Sequence, residues 1–150
     1  MSRDVIVSNR QAGRDYFILE TFEAGIELKG SEIKSIRERR ANLKDGYARV
    51  EKGGVVLYNL HITPYKFARI GDIDPVRPRR LLLKKSEIRS LTVKAAVKGL
   101  TIVPLNIYMK RGFAKVEIAI AKGKNLYDKR DSIKKRAAKR EIDRAMRRKG

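Results

Sequence analysis

The chain has 150 residues, with 37 Lys plus Arg against 17 Asp plus Glu and a formal net charge of +20 at pH 7. One domain with a tail is the expected organisation, and a polyanion is the expected partner, because self-repulsion of this size opposes a compact state until it is neutralised. The absence of cysteine excludes disulfides and thiolate metal sites, and the lack of any run of about 18 apolar residues excludes a spanning helix.

At the N-terminus the apolar stretch of residues 5–7 is too short for the core of a secretory leader, so a cytoplasmic location is expected. RDYFILETF (14–22) is aromatic and β-branched at its centre and reads as a strand. EAG (23–25) reads as a turn, after which Ile26 and Leu28 alternate with Glu27 and Lys29 in a second short strand. In GSEIKSIRERR (30–40), Ile33 and Ile36 stand three apart behind Ser31, a candidate N-cap, and predict one or two helical turns. GYARVEKGGVVLYNLHI (46–62) is a predicted hairpin around Gly53-Gly54. The segment 69–80 carries two prolines, a glycine and four arginines and reads as a basic loop.

KKSEIRSLTVKAAVKG (84–99) predicts a helix. Ser86 is its candidate cap, Ile88, Leu91 and Ala95 line one face, and Gly99 sits where a C-terminal cap belongs. Residues 100–124 predict another hairpin, turning at Arg111-Gly112, with Val116, Ile118 and Ile120 alternating with Lys115, Glu117 and Ala119. About six short strands joined by hairpins, with a helix or two between them, predict a mainly β fold: a small antiparallel barrel of the oligonucleotide-binding type with flanking helices.

Residues 121–150 hold 13 basic and 4 acidic side chains, nearly half of the net charge. On a helical projection Ile133 and Ala137 fall on one side, and Ala138, Ile142, Ala145 and Met146 roughly opposite. Lys134, Lys135, Arg136, Lys139, Arg140, Arg144, Arg147 and Arg148 fall all around them. No continuous apolar stripe exists for a core to hold, and like charges weaken a free helix of this length. The expected organisation is therefore a barrel over 1–122 and a basic tail over 123–150, disordered when free and helical when phosphates surround it. A merely solubilising tail is the competing reading. An interfacial membrane helix is disfavoured, since the tail lacks a bulky apolar face.

Catalytic chemistry has little support. His61 is the only histidine and stands among apolar residues. No phosphate-binding loop motif is present, and the carboxylates are scattered beside basic residues rather than set as an acid–base pair. No cofactor or metal is expected, and a non-enzymatic binding protein is the reading. Aromatics are interleaved with cations instead: Tyr65 and Phe67 flank Lys66, Tyr108 lies near Lys110 and Arg111, and Tyr127 precedes Lys129 and Arg130. This is how a protein stacks on unpaired bases while neighbouring cations hold phosphates. Tyr127, which lies past the last predicted strand, is the stacking candidate, and the other two sites read as core.

Three segments, SNRQAGRDYFILETFEAGIELKGSEIKSIR (8–37), RRLLLKK (79–85) and AKGKNLYDKRDSIKKR (121–136), together resemble the SmpB family, the tmRNA-binding (SsrA-binding) proteins of bacteria. The resemblance covers nearly the whole chain in order. It implies an oligonucleotide-binding-type barrel that binds the tRNA-like domain of tmRNA and delivers it to stalled ribosomes for rescue by trans-translation. The implied partners are tmRNA, the small ribosomal subunit with its RNA, and elongation factor Tu through aminoacylated tmRNA. The implied tmRNA-binding positions are Glu23, Leu82 and Lys84, the last a departure, since several members have Asn there. Tyr127, Asp128, Lys129 and Arg130 would occupy the decoding centre, with Tyr127 stacked on a ribosomal base. Lys124, Lys134, Lys135, Arg136, Lys139 and Arg140 would hold RNA backbone along the vacant mRNA path. Asn125 stands where many members have a second Lys. The alternative is a ribosomal protein, or another translation factor of the same fold, that binds ribosomal RNA without tmRNA.

Overall fold

The structure, a computed structural model, describes residues 4–64 and 74–124. The first strand, β1 (Asp4–Ser8), contains the short apolar stretch, and it leads directly into a six-residue helix, α1 (Arg10–Asp15). Asn9 makes that junction. Its side chain accepts from the Ala12 N–H at 3.3 Å, and its Nδ2 donates to the Pro104 carbonyl at 2.9 Å, so one residue caps the helix and ties it to the sheet. Arg14 and Asp15 are thereby helical rather than the start of a strand.

The predicted turn at 23–25 does not exist. β2 (Tyr16–Ile26) is one 11-residue strand, and Glu23, Ala24 and Gly25 pair with Glu117, Val116 and Lys115. Gly25 has a spatial purpose there: a Cβ on it would sit 3.2 Å from the Cβ of Leu82 on the neighbouring strand. α2 (Gly30–Arg37) and α3 (Lys85–Ala95) both begin two residues earlier than a serine cap would place them. Their N-caps are Lys29 and Lys84, whose backbone N–H groups donate to Glu32 and Glu87 at 2.9 and 3.1 Å. The glutamate at the third helical position thus makes half of a capping box, and Ser31 and Ser86 lie inside the first turn.

The remaining strands are β3 (Ala41–Asn42), β4 (Tyr47–Glu51), β5 (Gly54–Tyr58), β6 (His61–Ile62), β7 (Arg79–Leu82), β8 (Leu100–Lys110) and β9 (Phe113–Gly123). The basic segment 69–80 therefore ends in a strand, and β9 runs one residue past position 122. Two hairpins turn on left-handed pairs, Lys52-Gly53 and Arg111-Gly112, which suit the twist of antiparallel strands. Seven strands form one sheet in the order β1-β8-β4-β5-β7-β2-β9, all neighbours antiparallel, and β8 also pairs with β9. The fold is mainly β with flanking helices, as expected. It is a curled sheet rather than a strict barrel, because the β4–β8 seam rests on the single pair Ala48↔Ile102.

The concave side holds Val55, Leu57, Leu81, Ile102, Ile107, Val116, Ile118 and Ile120, with Ile36 of α2 and Leu91 of α3 packed against them. Burying each such aliphatic side chain contributes roughly 1.5–3 kcal/mol. The outer side is not uniformly polar. Ala119 and Ala121 are fully buried with Val103 under Ala12 of α1, so strict alternation along β9 fails where this unforeseen helix covers it. Glu32 of α2 is buried against Arg79 of β7, with Nε and Nη2 of Arg79 at 2.8 and 2.6 Å from its carboxylate. Arg77 also donates to Glu32, and Arg79 donates to the carbonyls of Leu60 and Pro75. No helix among the described residues is long and apolar enough to cross a membrane.

Candidate nucleic-acid interface

Residues directly opposite one another in an antiparallel ladder project from the same face. The register sets Glu23 of β2 opposite Glu117 of β9, and Glu117 opposite Asn106 of β8. Gly25 is opposite Lys115, and Lys115 opposite Tyr108. Gly25 also faces Leu82 of β7. Four strands therefore bring Leu82, Glu23, Tyr108, Lys110, Lys115 and Glu117 onto one outer face, although the two implied RNA-binding positions Glu23 and Leu82 are 59 residues apart in sequence.

Glu23 is held firmly. The Tyr108 hydroxyl donates to its Oε2, and Lys110 Nζ lies 3.2 and 3.3 Å from its two oxygens. The hydrogen bond from Tyr108 lowers the carboxyl below its ordinary value; burial opposes this, and the hydrogen bond and charge of Lys110, with the charge of Lys115, add to the lowering. At neutral pH Glu23 is a carboxylate, an acceptor only, with lone pairs beyond the two donors it already has. It is one-third exposed. A fixed anion of this kind on a cationic face can accept from a base amino group, the contact that carboxylates make in reading cytosine.

Tyr108→Phe is expected to raise the Glu23 titration midpoint toward 4.5, its ordinary value. A carboxyl depressed by folding adds stability above its unfolded pKa and loses it as pH falls through the folded one. The stability gap between wild type and Tyr108→Phe should therefore narrow on acidification below pH 4.5. Carboxyl chemical shifts during a pH titration check the midpoint, and an unmoved Glu23 would show that Tyr108 does not hold it.

Leu82 is 52% exposed beside Gly25. Leu83 turns inward onto the core, and exposed Lys84 follows as the N-cap of α3. Lys124 is elsewhere. Its Nζ lies 5.0 Å from the centre of the Phe17 ring at the start of β2, six residues or about 20 Å along the strand from Glu23. Tyr127, Asp128, Lys129, Arg130, Lys134, Lys135, Arg136, Lys139 and Arg140 lie outside the described residues, as do Tyr65, Lys66 and Phe67.

Sequence reading passed over Tyr108 and Lys110 as site residues. Tyr108 is fully buried, as a core aromatic would be, yet its hydroxyl reaches the surface carboxylate. The available signal was parity: Tyr108 and Lys110 share a strand face, and that face also carries Glu23 once β2 is paired.

The SmpB protein family model matches residues 6–148. The SsrA-binding protein of Caldicellulosiruptor saccharolyticus is 58% identical over 142 residues, covering 95% of this chain and 90% of that relative. The SsrA-binding protein of Geobacillus kaustophilus is 54% identical over 143 residues, covering 95% and 92%. Among solved structures, a chain from "tmRNA-SmpB: a journey to the center of the bacterial ribosome" is similar with a TM-score of 0.67 and 50% identity, covering 78% of this chain and 82% of that one. With a family model spanning nearly its whole length and relatives above half identity, the chain belongs to the SmpB protein family.

Proposed function

We propose that this chain binds the tRNA-like domain of tmRNA through the outer face of β7–β2–β9–β8 and delivers that RNA to stalled ribosomes for trans-translation. The observation that carries the interface is the Glu23 carboxylate, held in place by Tyr108 and Lys110 beside exposed Leu82. Family membership and the relatives' name, SsrA-binding protein, support the identity of the RNA. Glu23 accepts from a base, Leu82 packs on a base or sugar, and Lys84 supplies a cation at the edge. The role is binding and delivery in the cytoplasm, and no reaction is assigned to the chain. On the ribosome, Tyr127, Asp128, Lys129 and Arg130 enter the decoding centre. Lys124, Lys134, Lys135, Arg136, Lys139 and Arg140 follow the small-subunit RNA, and elongation factor Tu joins through aminoacylated tmRNA.

Affinity for the isolated tRNA-like domain tests this reading. Glu23→Ala should weaken binding by about 1–3 kcal/mol, the scale of one good base contact. Neutralising on the order of six phosphates should give a log–log salt slope of about −4 to −5. Wild-type chain that enriches ribosomal RNA alone from total RNA would favour a ribosomal protein and overturn the proposal.

A further inference from the structure

Phe113 opens β9 at the tip of the β8–β9 hairpin and is 70% exposed. Scattered exposed apolar residues are ordinary, so exposure alone identifies nothing. Its register does more. Phe113 pairs with Lys110, and Lys110 contacts Glu23, so the ring projects from the face that carries Glu23, Lys115 and Leu82. The turn locks this choice of face. Arg111 and Gly112 have φ of 52° and 82°, a two-residue left-handed turn of the kind that fixes hairpin register, and a one-residue slip would send the ring to the other side.

The surroundings are cationic. Lys110 is the partner of Phe113 across the ladder, exposed Arg111 is in the turn, and Lys115 is two residues on along the same face. A ring bordered by Lys110, Arg111 and Lys115 is a poor seat for an apolar protein surface, which needs a contiguous patch. It is a good seat for a nucleobase, whose face stacks on the ring while its phosphates meet the cations.

We propose that Phe113 is a stacking platform for an unpaired base of the bound RNA, with Arg111 and Lys115 at the adjoining phosphates. This rests on the reading that the Glu23 face binds RNA, and it extends that face to the hairpin tip. Phe113 is four residues along β9 from Glu117, the partner of Glu23, which is about 13 Å of strand. The stacked base therefore belongs to a different nucleotide from the one Glu23 contacts.

The test measures affinity of the full chain for the tRNA-like domain of tmRNA at fixed salt. Phe113→Ala should weaken binding about 5- to 100-fold, Phe113→Trp should bind at least as well as wild type, and Phe113→Leu should behave like the alanine variant. Thermal unfolding should not move. Abasic substitutions scanned through the RNA should find one position whose loss weakens wild type but adds nothing to Phe113→Ala, the signature of a coupled pair. Tight wild-type binding with an unaffected Phe113→Ala overturns the platform alone. So does a leucine variant equal to wild type, or lost ribosome rescue at unchanged RNA affinity, which would make Phe113 a protein contact. Failure of the wild-type chain to bind this RNA sinks the interface reading and the platform with it.

Discussion

Glu32→Ala is expected to destabilise the protein by about 3–5 kcal/mol, the cost of leaving one partner of a buried ion pair alone. Arg79 is 0% and Glu32 3% exposed, so without the carboxylate the guanidinium keeps, among the described residues, the Leu60 and Pro75 carbonyls and stays buried without losing its charge. The damage spreads because Pro75 also accepts from the Ile62 N–H. One network ties α2, the segment before β7, and the β3–β6 ribbon together. A double variant, Glu32→Met with Arg79→Met, should cost less than Glu32→Ala, since it removes the uncompensated charge. Burial pushes the Glu32 carboxyl up, but hydrogen bonds from Arg77, the Lys29 N–H and Arg79 outweigh it and hold it below its ordinary value. The carboxylate's contribution is then complete above pH 4.5, its ordinary value, and is lost as pH falls through the lower folded value. Urea unfolding of the three proteins across this range is the measurement. A Glu32→Ala protein within about 1 kcal/mol of wild type at neutral pH would show that the pair is dispensable.

Parts of this fold could be read directly from the chain because the deciding contacts are local. Val116, Ile118 and Ile120 alternate, Arg111-Gly112 supplies a left-handed turn, and Leu91 lies on the face of α3 that meets the core. Where partners are distant in sequence, local cues misled. Glu-Ala-Gly at 23–25 has turn composition, but Gly25 is there to admit Leu82 from β7. Glu32 reads as a surface charge until β7 brings Arg79 to it from 47 residues away. Ala119 reads as outward-facing until α1 covers it. The site follows the same division. Glu23 and Leu82 were named through a family resemblance, but the hydroxyl that holds Glu23 belongs to Tyr108, which only the β2–β9–β8 pairing brings within reach.

Ending the chain after Lys124 is expected to leave affinity for the tRNA-like domain within about tenfold of the full chain, roughly 1.4 kcal/mol, while rescue of stalled ribosomes falls by far more than tenfold. Every element that builds the Glu23 face is complete by Gly123, where β9 ends, and Lys124 already rests over Phe17. The cut therefore leaves every described strand and core side chain in place, together with every proposed contact to the tRNA-like domain. It does remove +7 of the +20 charge, which strengthens encounter with any polyanion but carries no sequence information. The small loss in affinity should therefore appear mainly at low salt and shrink as salt rises. Rescue depends on the tail differently. Tyr127, Lys129 and Arg130 are proposed to meet the ribosome rather than tmRNA, and cations at 134–140 are proposed to follow the RNA of the vacant mRNA path, so their removal takes away the contacts that let the ribosome accept an RNA without a codon. Binding and rescue measured on the same shortened protein separate the two roles. Loss of RNA affinity well beyond tenfold would move recognition into the tail, and undiminished rescue would reduce the tail to a solubilising segment.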